Sequence, residues 1–204
     1  MSCPITKFYC TNLKGNDQRW NDSLIQFAKV GLEVERFECI PHENRFLSFN
    51  HTMIALVKKG YETGQPFGIF EDDVALDDLK RTEEGFSELP EDWDLWYWGA
   101  NIFGVDTTVW QMPDRVTKYL HRLHNAWQSH AIIYSNKAAK WIIENFDPET
   151  FPVYDEWLRI NVMSKGNVYL QTPMVAYQRP VWSDLWEVNA DYTYCHLHGN
   201  KILK

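Results

Sequence analysis

The stretch GIFEDDVAL, residues 68–76, sets three carboxylates directly after an apolar run. The run that leads into them is typical of a buried strand, and such strands usually end in turn residues instead of acids. Because Glu71, Asp72 and Asp73 repel one another, the triplet is either a solvated loop or a place where a positive group binds. Its position after a buried strand favours the second interpretation.

Strands and helices are predicted in alternation on both sides of this stretch. Apolar residues recur at helical spacing in residues 17–30 and 46–57, and Gly31 and Gly60 stand where C-terminal caps belong. Ser135 is a candidate N-cap for a third such run. Further helices are predicted from Asp77 towards Leu89 and from about Asp155 to Lys165, and the predicted strands are 5–10, 33–40, 67–70, 94–99, 131–134 and 168–170.

This alternation predicts an α/β fold with a mostly parallel central sheet flanked by helices. The chain of 204 residues is expected to form a single domain, residues 1–204. In such sheets, ligands collect beyond the carboxyl ends of the strands. The acid triplet lies at such an end, and we expect the functional site there.

The charge balance of the chain excludes some partners. The net charge of −8 argues against a general binder of nucleic acid or anionic membranes. An acidic protein that binds a phosphate compound needs a metal ion between the two sets of negative charge. No apolar stretch approaches the roughly 20 residues of a membrane span. The N-terminal sequence has no charged-then-apolar leader, so we expect a cytoplasmic protein.

Glu71 and Asp73 are candidate metal ligands. Hard divalent cations take oxygen ligands, and they use one or two carboxylates together with substrate phosphates. The first and third acids of a bent turn can reach one ion together. The pair is therefore a candidate site for a divalent cation.

The C-terminal sequence CHLHGNKILK, residues 195–204, holds a second polar cluster. His196 and His198 alternate, so in an extended chain both would face the same side. Gly199 would let the backbone approach a ligand closely, and Lys201 could place an ammonium on a phosphate. The alternative is a solvated tail.

The sequence Tyr154-Asp155-Glu156-Trp157 stands at the predicted start of a helix. Acids at helix N-termini commonly cap the helix and complement its dipole. The functional alternative is a general base held near an acceptor. Both interpretations stay open at this point.

Several short motifs follow one another along nearly the whole chain. They are Tyr9-Cys10-Thr11-Asn12-Leu13 with Arg19, Ser48 to His51, Phe70 to Val74, Leu89-Pro90 with Trp93-Asp94, His130, Asp155, Gln178 and Ser183-Asp184. Together they resemble glycosyltransferase family 25, which includes lipooligosaccharide-synthesis transferases and collagen galactosyltransferases. One departure is Asn50, which replaces the Ser that normally precedes His51. Residues 198–201 also resemble the metal-and-phosphate tail of transferases such as the lysyl hydroxylase glycosyltransferase domain.

The resemblance implies a GT-A type, Rossmann-like fold, a nucleoside-diphosphate sugar donor such as a UDP-hexose, and Mn²⁺ or Mg²⁺. It implies inverting transfer of a hexose, galactose or glucose, to a hydroxyl acceptor on a glycan, lipooligosaccharide or protein. Inversion requires one carboxylate on the acceptor side to take the hydroxyl proton. Asp155 is our choice for this base, with Glu156 in reserve.

The resemblance and the motifs together assign a role to each remaining site residue. The metal ligands are Glu71, Asp73 and one of His196 and His198, with the choice between the two histidines open; the donor-binding residues are Asn12, Leu13, Arg19, Asp72, Gly199 and Lys201; the acceptor-binding residues are Trp93, Trp182, Ser183 and Asp184. The aromatic share of 15% fits either a large aromatic core or platforms for sugar-like ligands. Trp96, Trp98 and Trp186 are therefore also candidates for stacking on an acceptor sugar.

Two other classes of function stay open. A non-catalytic sugar-nucleotide or glycan-binding module of the same fold would keep the pocket and leave the base idle. A metal-dependent hydrolase of phosphate esters would use the same acids. The hydrolase is the weaker alternative, because two-metal hydrolases generally need more clustered acids and histidines.

Overall fold

The computed structural model describes residues 5–104 and 107–203. Strands and helices alternate along the first part of this range, and short strands follow near its end. The strands are β1 (Phe8–Asn12), β2 (Glu35–Glu38), β3 (Phe67–Glu71), β4 (Val74–Leu76), β5 (Leu95–Tyr97), β6 (Asp114–Arg115), β7 (Leu120–Arg122), β8 (Ala131–Tyr134), β9 (Val168–Gln171), β10 (Ala176–Gln178), β11 (Val181–Ser183) and β12 (Val188–Ala190). The helices are α1 (Asp17–Val30), α2 (Arg45–Tyr61), α3 (Thr82–Ser87), α4 (Asn136–Asn145), α5 (Tyr154–Leu158) and α6 (Thr193–Ile202).

The largest sheet in the described part of the chain has eight strands in the order β2-β1-β3-β8-β5-β9-β7-β6. Parallel pairing joins β2 to β1, β1 to β3, and β5 to β9. Strands β8 and β7 run against their neighbours, so the other six of the eight point in one direction. The predicted α/β fold with a mostly parallel central sheet is confirmed.

Strand β3 is buried on both faces, as its uninterrupted apolar run predicts. Successive side chains of a strand point to opposite faces. Ile69 packs in the cluster that includes Leu56 of α2 and Ile142 of α4. Phe70 lies on the other face, where its ring centroid is 5.4 Å from that of Phe27 in α1. Helices therefore flank both faces, and burial at roughly 1.5–3 kcal/mol per large side chain fixes the strand that carries the acids.

The order of the strands places the acids at a crevice. The chain passes from β1 outward to β2 and returns to the other side of β1 as β3, so the connections diverge between β1 and β3. Ligands of open α/β sheets bind beyond the carboxyl ends of the strands at such a switch point. Thr11 of β1 pairs with Glu71 of β3, which brings Asn12 and the acid triplet to this point.

The first helix follows its predicted bounds. Residues 17–30 are helical, and Gly31 closes the helix in the left-handed conformation with φ of 71°. At the other end, the side chain of Asn16 accepts the backbone N–H of Arg19. Ser135 caps α4 in the same way, through its hydroxyl and the N–H of Ala138 at 3.0 Å, as predicted.

Gly60 is not a helix cap, which corrects the sequence interpretation. Helix α2 continues to Tyr61, and Gly60 lies buried inside it. A Cβ at this position would lie 2.3 Å from the ring of Phe67, so the glycine is required where α2 packs against β3. The absence of a side chain at Gly60 makes room for the ring of Phe67, and it does not serve to end the helix.

Asp77 does not start the third helix. The side chain of Asp78 accepts the N–H of Lys80 and begins a 3₁₀ turn, and α3 follows it. The oxygen Oδ2 of Asp77 instead lies 3.0 Å from Nε2 of His196.

The predicted helix towards Lys165 is present as α5 and a π-helical turn, Arg159–Met163. In the described ranges, no helix combines the length and apolar character needed to cross a bilayer.

Candidate functional site

A cleft of about 1140 Å³ opens beyond the carboxyl ends of β1 and β3. The acid triplet lies on one wall, and the segment between β7 and β8 contributes Trp127, Gln128 and Ser129 to another. Asp155, at the start of α5, also lines the cleft. The structure therefore brings two of the three predicted motifs together, although more than 80 residues separate them in the sequence.

Asp72, the middle acid of the triplet, is paired with protein side chains. Asp72 accepts a 2.6 Å hydrogen bond from the side-chain amide of Asn12, and its Oδ1 lies 2.5 Å from Nη2 of Arg19. The carbonyl of Asp72 also accepts bonds from Ser23 and Arg179. Asp72 is therefore held by β1, by α1 and by Arg179, which follows β10.

Glu71 and Asp73 lack such compensation. Glu71 Oε1 accepts a 2.8 Å hydrogen bond from the hydroxyl of Ser129, and Asp73 Oδ2 accepts one of 3.1 Å from Gln178. The other oxygen of Asp73, Oδ1, is buried and has no hydrogen-bond partner among the described residues. The nearest cation, Arg19, is 3.6 Å from Asp73 and bonds more closely to Asp72.

Burial raises the pKa values of both acids, and a neighbouring carboxylate adds to each rise, Asp73 for Glu71 and Asp72 for Asp73. Burial, followed by the charge of Asp73, raises the pKa of Glu71 to about 8, and the hydrogen bond from Ser129 opposes this rise. Burial also raises the pKa of Asp73 to about 6, against the lowering effect of Arg19. The charged forms of both carboxylates are disfavoured here. A cation placed between them would therefore stabilise those charged forms.

The residues present fit a divalent cation. A buried, unpartnered carboxylate oxygen beside a second carboxylate provides the oxygen ligands that Mg²⁺ and Mn²⁺ take. Within residues 5–104 and 107–203, no three His, Cys, Asp or Glu side chains are grouped to hold a metal. Glu71 and Asp73 would therefore share the ion with oxygens of a bound ligand, as is common for Mg²⁺ with substrate phosphates.

Asp155 stands apart from this pair but within the same cleft. Its Oδ2 accepts the backbone N–H of Gln128 at 3.2 Å, and its Oδ1 accepts the N–H of Glu156 at 2.8 Å. Burial raises the pKa of Asp155 above its usual value, and these two hydrogen bonds oppose the rise. A carboxylate of raised pKa in a cleft is a better proton acceptor than an exposed one.

Glu156, the reserve base of the sequence analysis, has another partner. Its two oxygens accept bonds of 2.8 and 2.5 Å from Arg159. Glu156 does not line the cleft. The side chain is therefore part of an ion pair beside the site instead of a base in it.

The C-terminal segment differs from the extended arm that the alternating histidines predict. It is helix α6, in which residues two apart point about 200° away from each other. His196 is buried, pairs with Asp77 and packs on the ring of Tyr177 at 4.7 Å. His198 stacks on Tyr194 at 4.6 Å. Neither imidazole lines the cleft with Glu71 and Asp73, so the expectation that both face one ligand is wrong.

Gly199 and Lys201 also lie on α6 and outside the lining of the cleft. A Cβ on Gly199 would lie 2.4 Å from Cε of Met174, so this glycine permits helix packing. Lys201 is exposed in the last turn of the helix. The helical geometry removes the basis for placing these two residues against a phosphate.

The predicted donor residues of β1 and α1 are at the cleft. Asn12, Leu13 and Arg19 all line it. Asn12 also accepts a 2.5 Å bond from Arg36, and Arg19 lies 3.0 Å from Asp184. Leu13 is partly exposed and offers an apolar surface to a flat ring.

The predicted acceptor residues divide into two groups. Ser183 and Asp184 line the cleft, as does Trp186. Trp182 is exposed and lies outside the lining, where its carbonyl accepts a bond from Arg19. Trp93 is buried beside Phe86 in the core, and Trp96 and Trp98 are fully buried there, so the expectation of a sugar platform on these three rings is wrong.

Sequence reasoning missed the segment that joins the two acidic regions. Gln128 and Ser129 hydrogen-bond to Asp155 and Glu71, respectively. Gln128 has φ of 77°, a left-handed conformation that is uncommon for a residue with a side chain. No local pattern marks this geometry, since the left-handed position is occupied by Gln128 and not by the Gly, Asn or Asp that usually adopts it. Two more aromatic residues of the cleft, Trp110 and Trp127, were also missed.

Comparisons with known proteins give similarity of fold. No protein-family model matches the chain, and no curated protein matches it in sequence. A197 from STIV superposes with a TM-score of 0.52 and 13% identity, covering 86% of this chain and 85% of that one. The inositol-1-phosphate CTP transferase from T. maritima gives 0.50 and 12%, covering 96% and 76%.

A glycosyltransferase involved in the glycosylation of the major capsid of PBCV-1 gives a TM-score of 0.48 and 12% identity, covering 83% of each chain. At such low identities these similarities describe the fold alone. These two matches with a TM-score of at least 0.50, A197 and the CTP transferase, are each covered over at least 76% of their length. The chain thus has the α/β fold with a mostly parallel central sheet that the sequence predicts, with its acid triplet at the carboxyl edge of the sheet.

Proposed function

We propose that the protein is a metal-dependent, inverting glycosyltransferase that moves a hexose, galactose or glucose, from a UDP-sugar to a hydroxyl acceptor. The observation that carries this proposal is the uncompensated pair Glu71 and Asp73, with an unpartnered oxygen on Asp73, in a cleft that also holds Asp155. The pair supports cation and diphosphate binding, and the third acid supports proton removal. The resemblance to glycosyltransferase family 25 supports the choice of reaction.

Glu71 and Asp73 would hold Mn²⁺ or Mg²⁺. When bound, the cation would supply Lewis-acid stabilisation of the charge that develops on the leaving diphosphate. The donor's nucleoside would lie on the β1 side of the cleft, near Asn12 and Leu13. Asp72, fixed by its bonds, would present its carboxylate edge to the ribose.

Asp155 would act as the general base. The acceptor oxygen forms a bond to the anomeric carbon while the bond from that carbon to the diphosphate oxygen breaks. The hydroxyl proton passes to Asp155, and UDP leaves with the bonding electrons. The raised pKa of Asp155 matches this task, because a base is most effective when its pKa approaches the working pH.

Thermal unfolding with nucleotide and metal tests the first half of the proposal. We expect UDP to stabilise the protein by about 2.7 kcal/mol at a hundredfold excess over its Kd when Mn²⁺ or Mg²⁺ is present. In EDTA the stabilisation should disappear, because the diphosphate then meets uncompensated carboxylates. Equal stabilisation in EDTA would remove the metal bridge from the proposal.

A panel of UDP-hexoses and hydroxyl acceptors tests the second half. Formation of a glycoside with release of UDP is the expected result. Binding of UDP-sugar without any transfer would favour a non-catalytic binding module of the same fold. Release of pyrophosphate from a nucleoside triphosphate and a sugar 1-phosphate would assign nucleotidyl transfer instead.

A further inference from the structure

Two tryptophans of the cleft, Trp110 and Trp127, have no part in the chemistry proposed above. Both line the cleft. Trp127 precedes Gln128, whose backbone N–H donates to the base candidate Asp155 at 3.2 Å. The two rings therefore belong to the part of the cleft that receives the acceptor.

The ring of Trp127 is held in place by the guanidinium of Arg159. Cζ of Arg159 lies 4.8 Å from the centroid of the Trp127 ring, a cation–π distance. Glu156 fixes that guanidinium through two hydrogen bonds, and the side chain of Asn125 accepts a third at 3.2 Å. The ring is thus positioned before a ligand arrives, which lowers the ordering cost of binding.

Trp110 extends this surface into the open cleft. Its ring stands at 66° to that of Trp127, with centroids 5.0 Å apart, and Arg159 lies 6.0 Å from it. The side chain keeps 40% of its surface exposed. A large ring of this kind, supported by neighbours and left open inside a cleft, offers a flat apolar face to a ligand.

A hydrogen-bond donor lies beside the rings. Nε2 of Gln128 is buried and has no partner within the part of the chain that the structure describes. Buried amide donors are ordinarily satisfied, and Gln128 lines the cleft, so this donor is free to bind a ligand oxygen there. The backbone of Gln128 is held at φ of 77° while its N–H binds Asp155, which fixes the direction of the side chain relative to the base.

The charges near these groups select a neutral ligand. Asp155 places a carboxylate on this side of the cleft, and Glu156 pairs with the nearby Arg159. An anionic acceptor would be repelled. A sugar ring offers an apolar face, hydroxyl oxygens and no net charge.

We propose that Trp110, Trp127 and Gln128 form an acceptor subsite for a neutral saccharide. The apolar face of one pyranose ring stacks on Trp110, and a hydroxyl oxygen of the same saccharide accepts a hydrogen bond from Nε2 of Gln128. Trp127 supports Trp110 through the contact between their rings, whose centroids are 5.0 Å apart. This inference rests on the proposed function, because it names the acceptor class of the same site.

Ligand-detected NMR on the full chain tests the subsite. The probes are methyl β-D-galactopyranoside, lactose and cellobiose, each titrated with UDP and diamagnetic Mg²⁺ present. Trp110→Ala should weaken the best of these probes by at least roughly fivefold. Trp141→Ala is the matched control, because Trp141 is also 40% exposed and its ring lies 5.4 Å from that of Trp157, outside the cleft.

Saccharide binding that is equal in the native protein and in Trp110→Ala would overturn the subsite, and so would the absence of saturable binding by all three probes. The UDP-dependent thermal shift, measured on the same samples, separates this inference from the proposed function. If the shift persists and Trp110→Ala has no effect, the subsite alone is wrong. If the shift is absent but saccharide binding depends on Trp110 and not on Trp141, the subsite stands and the transferase proposal is wrong.

Discussion

Ser129 donates a 2.8 Å hydrogen bond from its hydroxyl to Oε1 of Glu71. This bond favours the ionised form of an acid whose pKa is raised by burial and by Asp73. It therefore keeps Glu71 closer to the state that a cation needs. The same segment also holds Asp155 through the backbone of Gln128, so one loop sets the geometry of both acidic groups.

Ser129→Ala should weaken Mn²⁺ binding near pH 7. Without the hydroxyl, the pKa of Glu71 rises further, and a proton competes more strongly with the metal. We expect a loss of roughly threefold to tenfold in affinity, from a hydrogen bond to a charged group worth about 1 kcal/mol or somewhat more. Isothermal titration calorimetry at pH 7 and pH 9 measures it, and the difference should shrink at pH 9, where Glu71 is ionised in both proteins.

Ser87→Ala provides the matched control for this change. The hydroxyl of Ser87 donates to the carbonyl of Glu84 on α3, at an exposed position outside the cleft. Its loss should leave Mn²⁺ affinity unchanged at both pH values. A Ser129→Ala effect of the same size at pH 7 and pH 9 would contradict the role of proton competition.

Glu71→Gln should change how stability depends on pH in the metal-free protein. The folded-state pKa of Glu71 is raised to about 8 from its ordinary value of 4.5, so the folded state binds the proton more tightly than the unfolded state. Stability is then fully present below the unfolded pKa and is lost as pH rises through the folded one. The neutral glutamine should remove most of this decline, on the order of 2–4 kcal/mol between pH 5 and pH 9.

Urea unfolding at a series of pH values in EDTA measures the decline. Glu144→Gln, which neutralises an exposed carboxylate on α4, should keep the native pH profile. Mn²⁺ added to the native protein at pH 9 should restore much of the lost stability, whereas Glu71→Gln should respond less. A native protein whose stability rises steadily from pH 5 to pH 9 would rule out the uncompensated charge.

His198→Ala should leave the Mn²⁺-dependent effect of UDP unchanged, because His198 stacks on Tyr194 away from Glu71 and Asp73. Lys201→Ala should behave in the same way, since Lys201 is exposed on the last turn of α6. Thermal unfolding with UDP, with and without Mn²⁺, measures both variants beside Asp73→Asn, which should abolish the metal-dependent shift. Loss of that shift in His198→Ala or Lys201→Ala would indicate that α6 contributes to the ligand site.

The central strand and its acids could be predicted because the signals are local. A continuous apolar run ending in three acids identifies β3 and its carboxyl end without knowledge of the rest of the chain. The bounds of α1 could also be predicted, since apolar residues at helical spacing define the helix and Gly31 defines its end. For β3 and for α1, the residues that specify the element all lie within ten to fifteen consecutive positions.

The C-terminal helix could not be recognised from the spacing of its histidines. Cys195, His196 and Gly199 are its buried residues, a helical spacing that contains a polar imidazole and one residue without a side chain. His196 can be buried there because Asp77 pairs with it, from a position 119 residues earlier. A pairing over this distance leaves no trace in the local pattern.

The tryptophans illustrate the same limit. Trp93, Trp96 and Trp98 stand beside strand residues and were natural candidates for a sugar platform, but the sheet encloses them. Trp110 and Trp127 come from irregular segments whose return to the cleft depends on tertiary contacts, such as the pairing of Asn101 with Trp127. Composition gives the number of rings, whereas only the folded chain decides which of them reach a ligand.

Gln128→Gly should be more stable than Gln128→Ala. At φ of 77° a Cβ is disfavoured by roughly 1–2 kcal/mol, whereas glycine adopts this conformation freely. The entropy that glycine loses on folding offsets part of this, so we expect a difference of about 1 kcal/mol in favour of glycine. At Gln65, which is outside the residues with positive φ, the order should reverse and alanine should be the more stable. Urea unfolding of the four variants decides it, and alanine being the more stable at both positions would argue against the left-handed backbone beside Asp155.

Asp155→Asn should lower kcat by about 10²–10⁴ and leave UDP binding intact, because it removes a proton acceptor without touching Glu71 or Asp73. Its remaining oxygen still accepts one of the two backbone N–H groups that Asp155 binds, so stability should fall by no more than about 1 kcal/mol. Glu156→Gln is the neighbouring control. It loosens Arg159, so it should raise KM for the acceptor while kcat changes little. Transfer assays under saturating donor separate kcat from KM, and retained turnover in Asp155→Asn would place the base elsewhere in the cleft.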